Sequence, residues 1–153
     1  MTVDHLGALH EAAHATVATM YGFSVKHAVL HPVGMDPQGY VELRDHLSEL
    51  DEDAMRYLVF KMSGAAAEHR QCGQYSKRDV QDLEDAVTAA AVVLEQARDS
   101  PRVAQLVRDA QLLANSLMLN DDLWRWTRRV AAALIQHRRL TGRQIAELRE
   151  ATC

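Results

Sequence analysis

The run His10-Glu11-Ala12-Ala13-His14 sets two imidazoles four residues apart, with a carboxylate directly after the first. On an α-helix, positions four apart lie one above the other on the same face. Both rings can therefore reach one tetrahedral zinc ion, and Glu11 then lies beside the metal's open position. A carboxylate there can take the proton of a metal-activated water as that water attacks a carbonyl, and pass it to the leaving amine while the metal polarises the carbonyl. The chemistry this spacing points to is amide hydrolysis. With 8 His and 9 Glu among 153 residues, random placement would produce HExxH in roughly one such chain in forty. The surroundings therefore have to support it. Ala12 and Ala13 let a helix pack closely behind the ligands, and Leu9, Ala15 and Val17 supply apolar flanks.

Zinc hydrolases use three protein ligands and keep one position for water, so a third donor is expected elsewhere. Cys72 and Cys153 are too few for a four-Cys site or a disulfide framework, which leaves the metal to His and carboxylate. Asp79, Asp82 and Asp85 fall on one face of a helix that opens at Asp79, with Glu84 off that face. Asp79 reads as an N-cap, and acids in a first turn commonly serve the helix dipole. Spacing alone leaves both Asp82 and Asp85 open as the third ligand.

The elements that must position these residues can be read from periodicity and breakers. Asp4 to Tyr21 carries Leu6, Leu9, Ala13, Val17 and Met20 at helical spacing, with Asp4 as a fair N-cap and Gly22 as a stop. Ser24 to Val33 alternates as a strand, Gly34-Met35-Asp36-Pro37 turns, and Gly39 to Leu43 can pair back, giving a hairpin expected to be the only sheet. Helices are expected over Asp51–Arg70, Asp79–Arg98, Arg102–Met118, Asp121–Arg138 and Thr141 to about Ala151, with Thr141 as an N-cap and Pro101 at a helix start. The expectation is one mainly α-helical, zincin-like domain over 1–153 with a small β-hairpin after the first helix.

Composition narrows the partners. A formal net charge of -4 argues against sequence-independent phosphate binding, so nucleic acid is not expected. No run approaches the roughly 20 apolar residues of a membrane span, and no secretory leader is visible. A soluble, cytoplasmic protein is expected. His27 and His31 read as half-buried strand residues, and His69 as a last-turn residue suited to the dipole. Cys72 reads as a buried, inert thiol. Trp124 and Trp126 lie two apart on a helix, so one of them is expected exposed or at an interface, with a subunit contact the favoured use. An exposed edge strand beside the metal could pair with an extended peptide.

These segments together resemble the peptidase domain of the FtsH family, the membrane-anchored ATP-dependent zinc metalloproteases. His10 to His14 align with the family's HEAGH helix, Ala13 standing where it has Gly. Lys26-His27-Ala28-Val29-Leu30-His31-Pro32 with Gly39-Tyr40-Val41 resembles the strand pair that follows. Met62-Ser63-Gly64-Ala65-Ala66-Ala67-Glu68 is similar to the Gly-Arg-Ala-Ala-Glu segment, with Ala65 in place of the Arg. Asp82-Leu83-Glu84-Asp85-Ala86 falls on the Asp-Leu-x-x-Ala stretch whose Asp is the third ligand, and Leu140-Thr141-Gly142-Arg143-Gln144-Ile145 is similar to the last short helix. Lys77-Arg78-Asp79-Val80 replaces a small-residue turn, so that loop is expected to have another shape.

The resemblance implies Zn2+ on His10, His14 and Asp82, with Glu11 as general base. Glu68 falls on an acid of the family's second helix, where it either orients a metal-bound imidazole or stands as a plain surface residue. Only the peptidase part is covered: no P-loop and no membrane anchor precede His10, so any ATPase is expected as a separate partner. The expected activity is cleavage of unfolded or extended polypeptide, with assembly into a homo-oligomer compatible with the resemblance. The rival from another class is a catalytically silent zinc-binding interaction or assembly module.

Overall fold

The computed structural model describes residues 2–35, 38–44, 54–76 and 79–150. Its elements in chain order are α1 (Val3–Met20), β1 (Val25–Leu30), β2 (Gly39–Leu43), α2 (Ala54–Cys72), α3 (Asp79–Leu94), α4 (Pro101–Met118), α5 (Asp121–His137), β3 (Arg139–Thr141) and α6 (Gly142–Glu147). Among the described residues the fold is mainly helical, with one small antiparallel sheet. Asp36, Pro37, Asp51, Lys77, Arg78, Ala151 and Cys153, which enter the expected turn, helix ends, loop and cysteine pair, lie outside the described residues. No helix among those described is long and apolar enough to cross a membrane. The chain divides into two compact units, one formed by 1–45 with 120–153 and the other by 46–119.

In the first unit α1 packs chiefly on α5 and the sheet. Its N-cap is Thr2, whose hydroxyl accepts from the His5 amide at 3.3 Å, and not Asp4. Asp4 lies in the first turn, and its carboxylate takes two hydrogen bonds from Arg138 at 2.9 and 3.0 Å, which removes it from capping. A buried hydroxyl pair, Thr16 and Thr127 at 2.9 Å, sits between α1 and α5. Both tryptophans are buried, against the expectation that one would be exposed or at an interface. Trp126 donates to the Ile145 carbonyl at 2.9 Å, with the Arg149 guanidinium over its ring, so the C-terminal segment covers the side of α5 that spacing alone leaves open.

The sheet has three strands in the order β2-β1-β3, all antiparallel, so the hairpin is not the whole sheet. The third strand is only Arg139–Thr141, too short to show an alternating pattern between two helices. It is reached because Arg138 adopts the left-handed conformation (φ 63) after α5 and its carbonyl accepts from the Leu30 amide at 2.8 Å. Ala28 pairs with Val41 and Leu140, and Ala28, Leu30 and Leu140 are buried. At Gly142 a Cβ would stand 2.0 Å from the Val25 carbonyl oxygen, so only glycine lets α6 start so close to β1. Thr141 and Gln144 close that helix start with a reciprocal capping box.

The second unit consists, among its described residues, of α2, α3 and α4, with α2 packed against both others. The small residues Gly64 to Ala67 are buried in the middle of α2, where they permit close approach. α4 begins at Pro101 after the Ser100 cap, as its sequence indicates. α3 ends at Leu94, four residues before the expected Arg98. Glu95 turns left-handed (φ 51), and the Arg98 side chain reaches back to Glu84 and Thr88.

Candidate metal centre

α1 has to present His10, Glu11 and His14 on one face while its other sides are buried, and the alanines around them make this feasible. His10, Glu11 and His14 are 3%, 8% and 4% exposed, so none is a solvated surface residue. The His10 and His14 rings meet edge to face with centroids 4.7 Å apart, and their Nε2 atoms approach to 3.0 Å. Two nitrogens on one tetrahedral zinc ion, each at about 2.05 Å, would be about 3.3 Å apart. The pair is therefore within a few tenths of an ångström of the separation such an ion requires, and the donor set fits it.

Glu11 is held by the sheet. A Cβ added at Gly39 would stand 2.7 Å from Glu11 Cγ and 3.2 Å from its Cδ, besides 2.5 Å from the Val29 carbonyl oxygen. The first residue of β2 is thus a glycine pressed against the stem of the carboxylate. One turn earlier on α1, Gly7 makes the same kind of approach to the Gln38 side chain, 2.7 Å from where its Cβ would be.

The second unit carries the acids. Asp82 lies half-buried in the first turn of α3, with Oδ1 3.2 Å from Lys61 Nζ on α2, and Asp85 Oδ2 is 3.0 Å from the same ammonium. Asp82 and Asp85 do share a face, and Glu84 does point elsewhere, to Arg98. Burial pulls the Lys61 pKa down, but Asp82, Tyr57 and Asp85 outweigh it and hold the group above its ordinary 10.5. Asp79 accepts from the Ser76 amide at 2.8 Å and is the first residue of α3 rather than its cap. Glu68 is 1% exposed in α2, which removes the plain surface reading.

Buried and half-buried His, Asp and Glu groups that could hold a metal ion are therefore present among the described residues: His10 and His14 in one unit, Glu68, Asp79 and Asp82 in the other. No protein-family model and no curated protein matches the chain.

The remaining candidates fall outside this set. His27 is buried on β1, with Nε2 2.9 Å from Glu42 and Nδ1 3.3 Å from Arg139 Nη2. Burial above all, and then Arg139, keeps its pKa below 6.5 against the pull of Glu42. His31 is half-buried beside Tyr40, and His69 is exposed and stacks on Tyr75. Cys72 is exposed rather than buried, its thiol donating to the Glu68 carbonyl at 3.1 Å. It lies in the last turn of α2, past the helix's packed stretch. Sequence reasoning missed Lys61, Gln38 and Gly39. Lys61 had a visible signal, a lone cation in the apolar run Leu58-Val59-Phe60-Lys61-Met62.

Proposed function

We propose that the protein is a zinc metallopeptidase that holds its ion on His10, His14 and Asp82 and cleaves extended polypeptide, with Glu11 as general base. The observation that carries the reading is the 3.0 Å approach of two buried imidazole nitrogens on a helix whose intervening carboxylate is packed against the first residue of an edge strand. The set His10, His14 and Asp82 has the composition that zinc hydrolases use, and the FtsH-like Asp-Leu-x-x-Ala stretch nominates the same acid.

A zinc ion there would supply Lewis acidity toward the scissile carbonyl and make the attacking water a better nucleophile at neutral pH. Glu11 accepts that water's proton as the carbon–oxygen bond forms. It returns the proton to the amide nitrogen as the carbon–nitrogen bond breaks, so one carboxylate serves both halves of the reaction. Gly39 keeps the Glu11 side chain from swinging toward the sheet. β2 stands at the end of the strand order β2-β1-β3, so an extended chain can pair along it through main-chain hydrogen bonds with little side-chain selectivity. Peptides N-methylated on alternate residues should then bind poorly, and equal binding would refute this docking mode. Delivery of unfolded chains by a separate ATPase, and assembly of several copies, belong to the same proposal.

One observation favours the second reading, a zinc-holding module without turnover: Asp82 is already paired with the Lys61 ammonium. A comparison of wild type with Glu11→Gln decides between them, measuring bound zinc and casein cleavage. Zinc in both, with cleavage lowered at least about 100-fold in the variant, supports the peptidase. Zinc in both without cleavage by either supports the silent module, and zinc in neither removes the site.

A further inference from the structure

We propose that Lys61 competes with zinc for the Asp82 carboxylate, so that an ammonium built into α2 sets how readily the metal centre fills. The inference rests on the reading above in which Asp82 is the third ligand, and it adds a regulation of that site.

The residues concerned all belong to α2 and α3. Asp82 and Asp85 are three apart, hence neighbours on one face of α3, and Lys61 reaches both from α2. Its Nζ is 3.2 Å from Asp82 Oδ1 and 3.0 Å from Asp85 Oδ2, with the lysine side chain 16% exposed and that of Asp82 14%. Asp85 is held as an acceptor in its own right, because its Oδ1 takes a hydrogen bond from the Gln81 side-chain amide at 2.9 Å. One carboxylate would neutralise the ammonium, and it meets two.

Lys61 stands in the run Leu58-Val59-Phe60-Lys61-Met62, whose other members are all buried, and its Nζ lies 5.9 Å from the centre of the Phe60 ring. Burying an ammonium strips it of hydration, and an ion pair so placed seldom stabilises a fold more than apolar side chains of the same volume would. What the lysine does achieve is a positive charge on one oxygen of Asp82. A zinc ion on that carboxylate is then a second cation on a group the first already holds, in surroundings where water screens their repulsion weakly. If the ammonium stays, it repels the ion. If it withdraws, it keeps Asp85 and gives up its contact with Asp82. Binding is weakened in both cases, and the centre fills only at zinc concentrations above those that the same ligands would need without Lys61.

The test measures the zinc dissociation constant of the full chain by competition with a chromogenic chelator at a single pH, with Tm taken with and without zinc. Lys61→Met and Lys61→Gln both remove the charge. The glutamine keeps a donor toward the two carboxylates, which keeps the test alive if the methionine variant folds poorly. Each should bind zinc at least about tenfold more tightly than wild type, and zinc should raise its Tm by more. Lys61→Arg keeps the charge and should show no such gain. In an Asp82→Ala background, where the shared carboxylate is gone and weaker binding is read at higher zinc, Lys61→Gln should bring no gain either.

An affinity unchanged or lowered in Lys61→Met and Lys61→Gln overturns the proposal, a lowered one giving Lys61 the part of orienting Asp82 instead. A gain that persists in the Asp82→Ala background overturns it too, because the charge then acts on the ion without that carboxylate. If the lysine variants bind zinc more tightly and no variant cleaves casein, the peptidase reading fails and the competition stands. If wild type cleaves casein and the lysine variants bind zinc as it does, the competition fails alone. Zinc bound by none of these proteins overturns both.

Discussion

Replacing Gly39 by alanine perturbs the candidate site and the sheet at one atom, and its effects can be worked from three distances. The new Cβ would stand 2.5 Å from the Val29 carbonyl oxygen, 2.7 Å from Glu11 Cγ and 3.2 Å from Glu11 Cδ, where real contacts stay above roughly 3.0 Å. The carbonyl belongs to the central strand and cannot move far, so β2 must retreat from it. Overpacking of this kind costs about 1–3 kcal/mol. At about 2–4 °C per kcal/mol for a chain of this length, Tm should fall by roughly 2–12 °C. Glu11 is displaced as well, because the methyl takes the space its side chain now fills. A displacement on the order of 1 Å in a catalytic group can cost about 100-fold, so casein cleavage should drop by about that factor. His10 and His14 do not line this contact, and bound zinc should stay at the wild-type level. Calorimetry, metal analysis and a cleavage assay on one preparation give all three readouts. Parental Tm and activity in Gly39→Ala would refute the close packing, and loss of zinc in step with activity would show that the damage lies in α1 as a whole.

Other outcomes follow from neighbouring features. Asp82→Ala should lose bound metal while Asp85→Ala keeps it, measured by metal analysis after dialysis; the reverse would move the third ligand one turn along α3. Lys61→Met leaves two half-buried carboxylates without their shared cation and should destabilise by about 1–3 kcal/mol in urea unfolding. The Lys61 pKa is raised when folded, so its contribution is fully present below pH 10.5 and lost as pH climbs through the folded value. Tyr57, raised above 10.0 mainly by burial, adds to the same alkaline loss. His27 has the opposite sign. Its folded pKa lies below 6.5, so the unfolded chain takes up the proton first, and the stability present above pH 6.5 declines as pH falls through the folded value. His27→Gln should flatten that acid slope in chemical unfolding measured between pH 7 and 5, and an unaltered slope would exclude the assignment.

The sequence made some of this legible through physics that acts at short range. The spacing of His10 and His14 translates directly into a shared face, on which their Nε2 atoms approach to 3.0 Å, whereas their burial is not contained in the spacing. The five helices after the hairpin were readable because 3.6-residue periodicity and start signals such as Pro101 and Thr141 are local. Long-range packing was not. β3 is three residues whose pairing depends on Arg138 turning left-handed, and the burial of Trp126 depends on Ile145 and Arg149 folding over it. Thr2 outcompeted Asp4 as a cap because Arg138, far along the chain, claimed the carboxylate. Gly7 and Gly39 each look like ordinary glycines until the side chain that presses on them is known.

The first unit is interrupted in the sequence: residues 1–45 and 120–153 build it, and the whole of 46–119 lies between. α1 packs chiefly on α5, which is made only after that long intervening stretch. During synthesis the histidine-bearing helix is thus made well before α5 and waits for that support, whereas α2, α3 and α4 can close on one another sooner. The helix face that carries His10, Glu11 and His14 accordingly gains its packed surroundings only once α5 has been made.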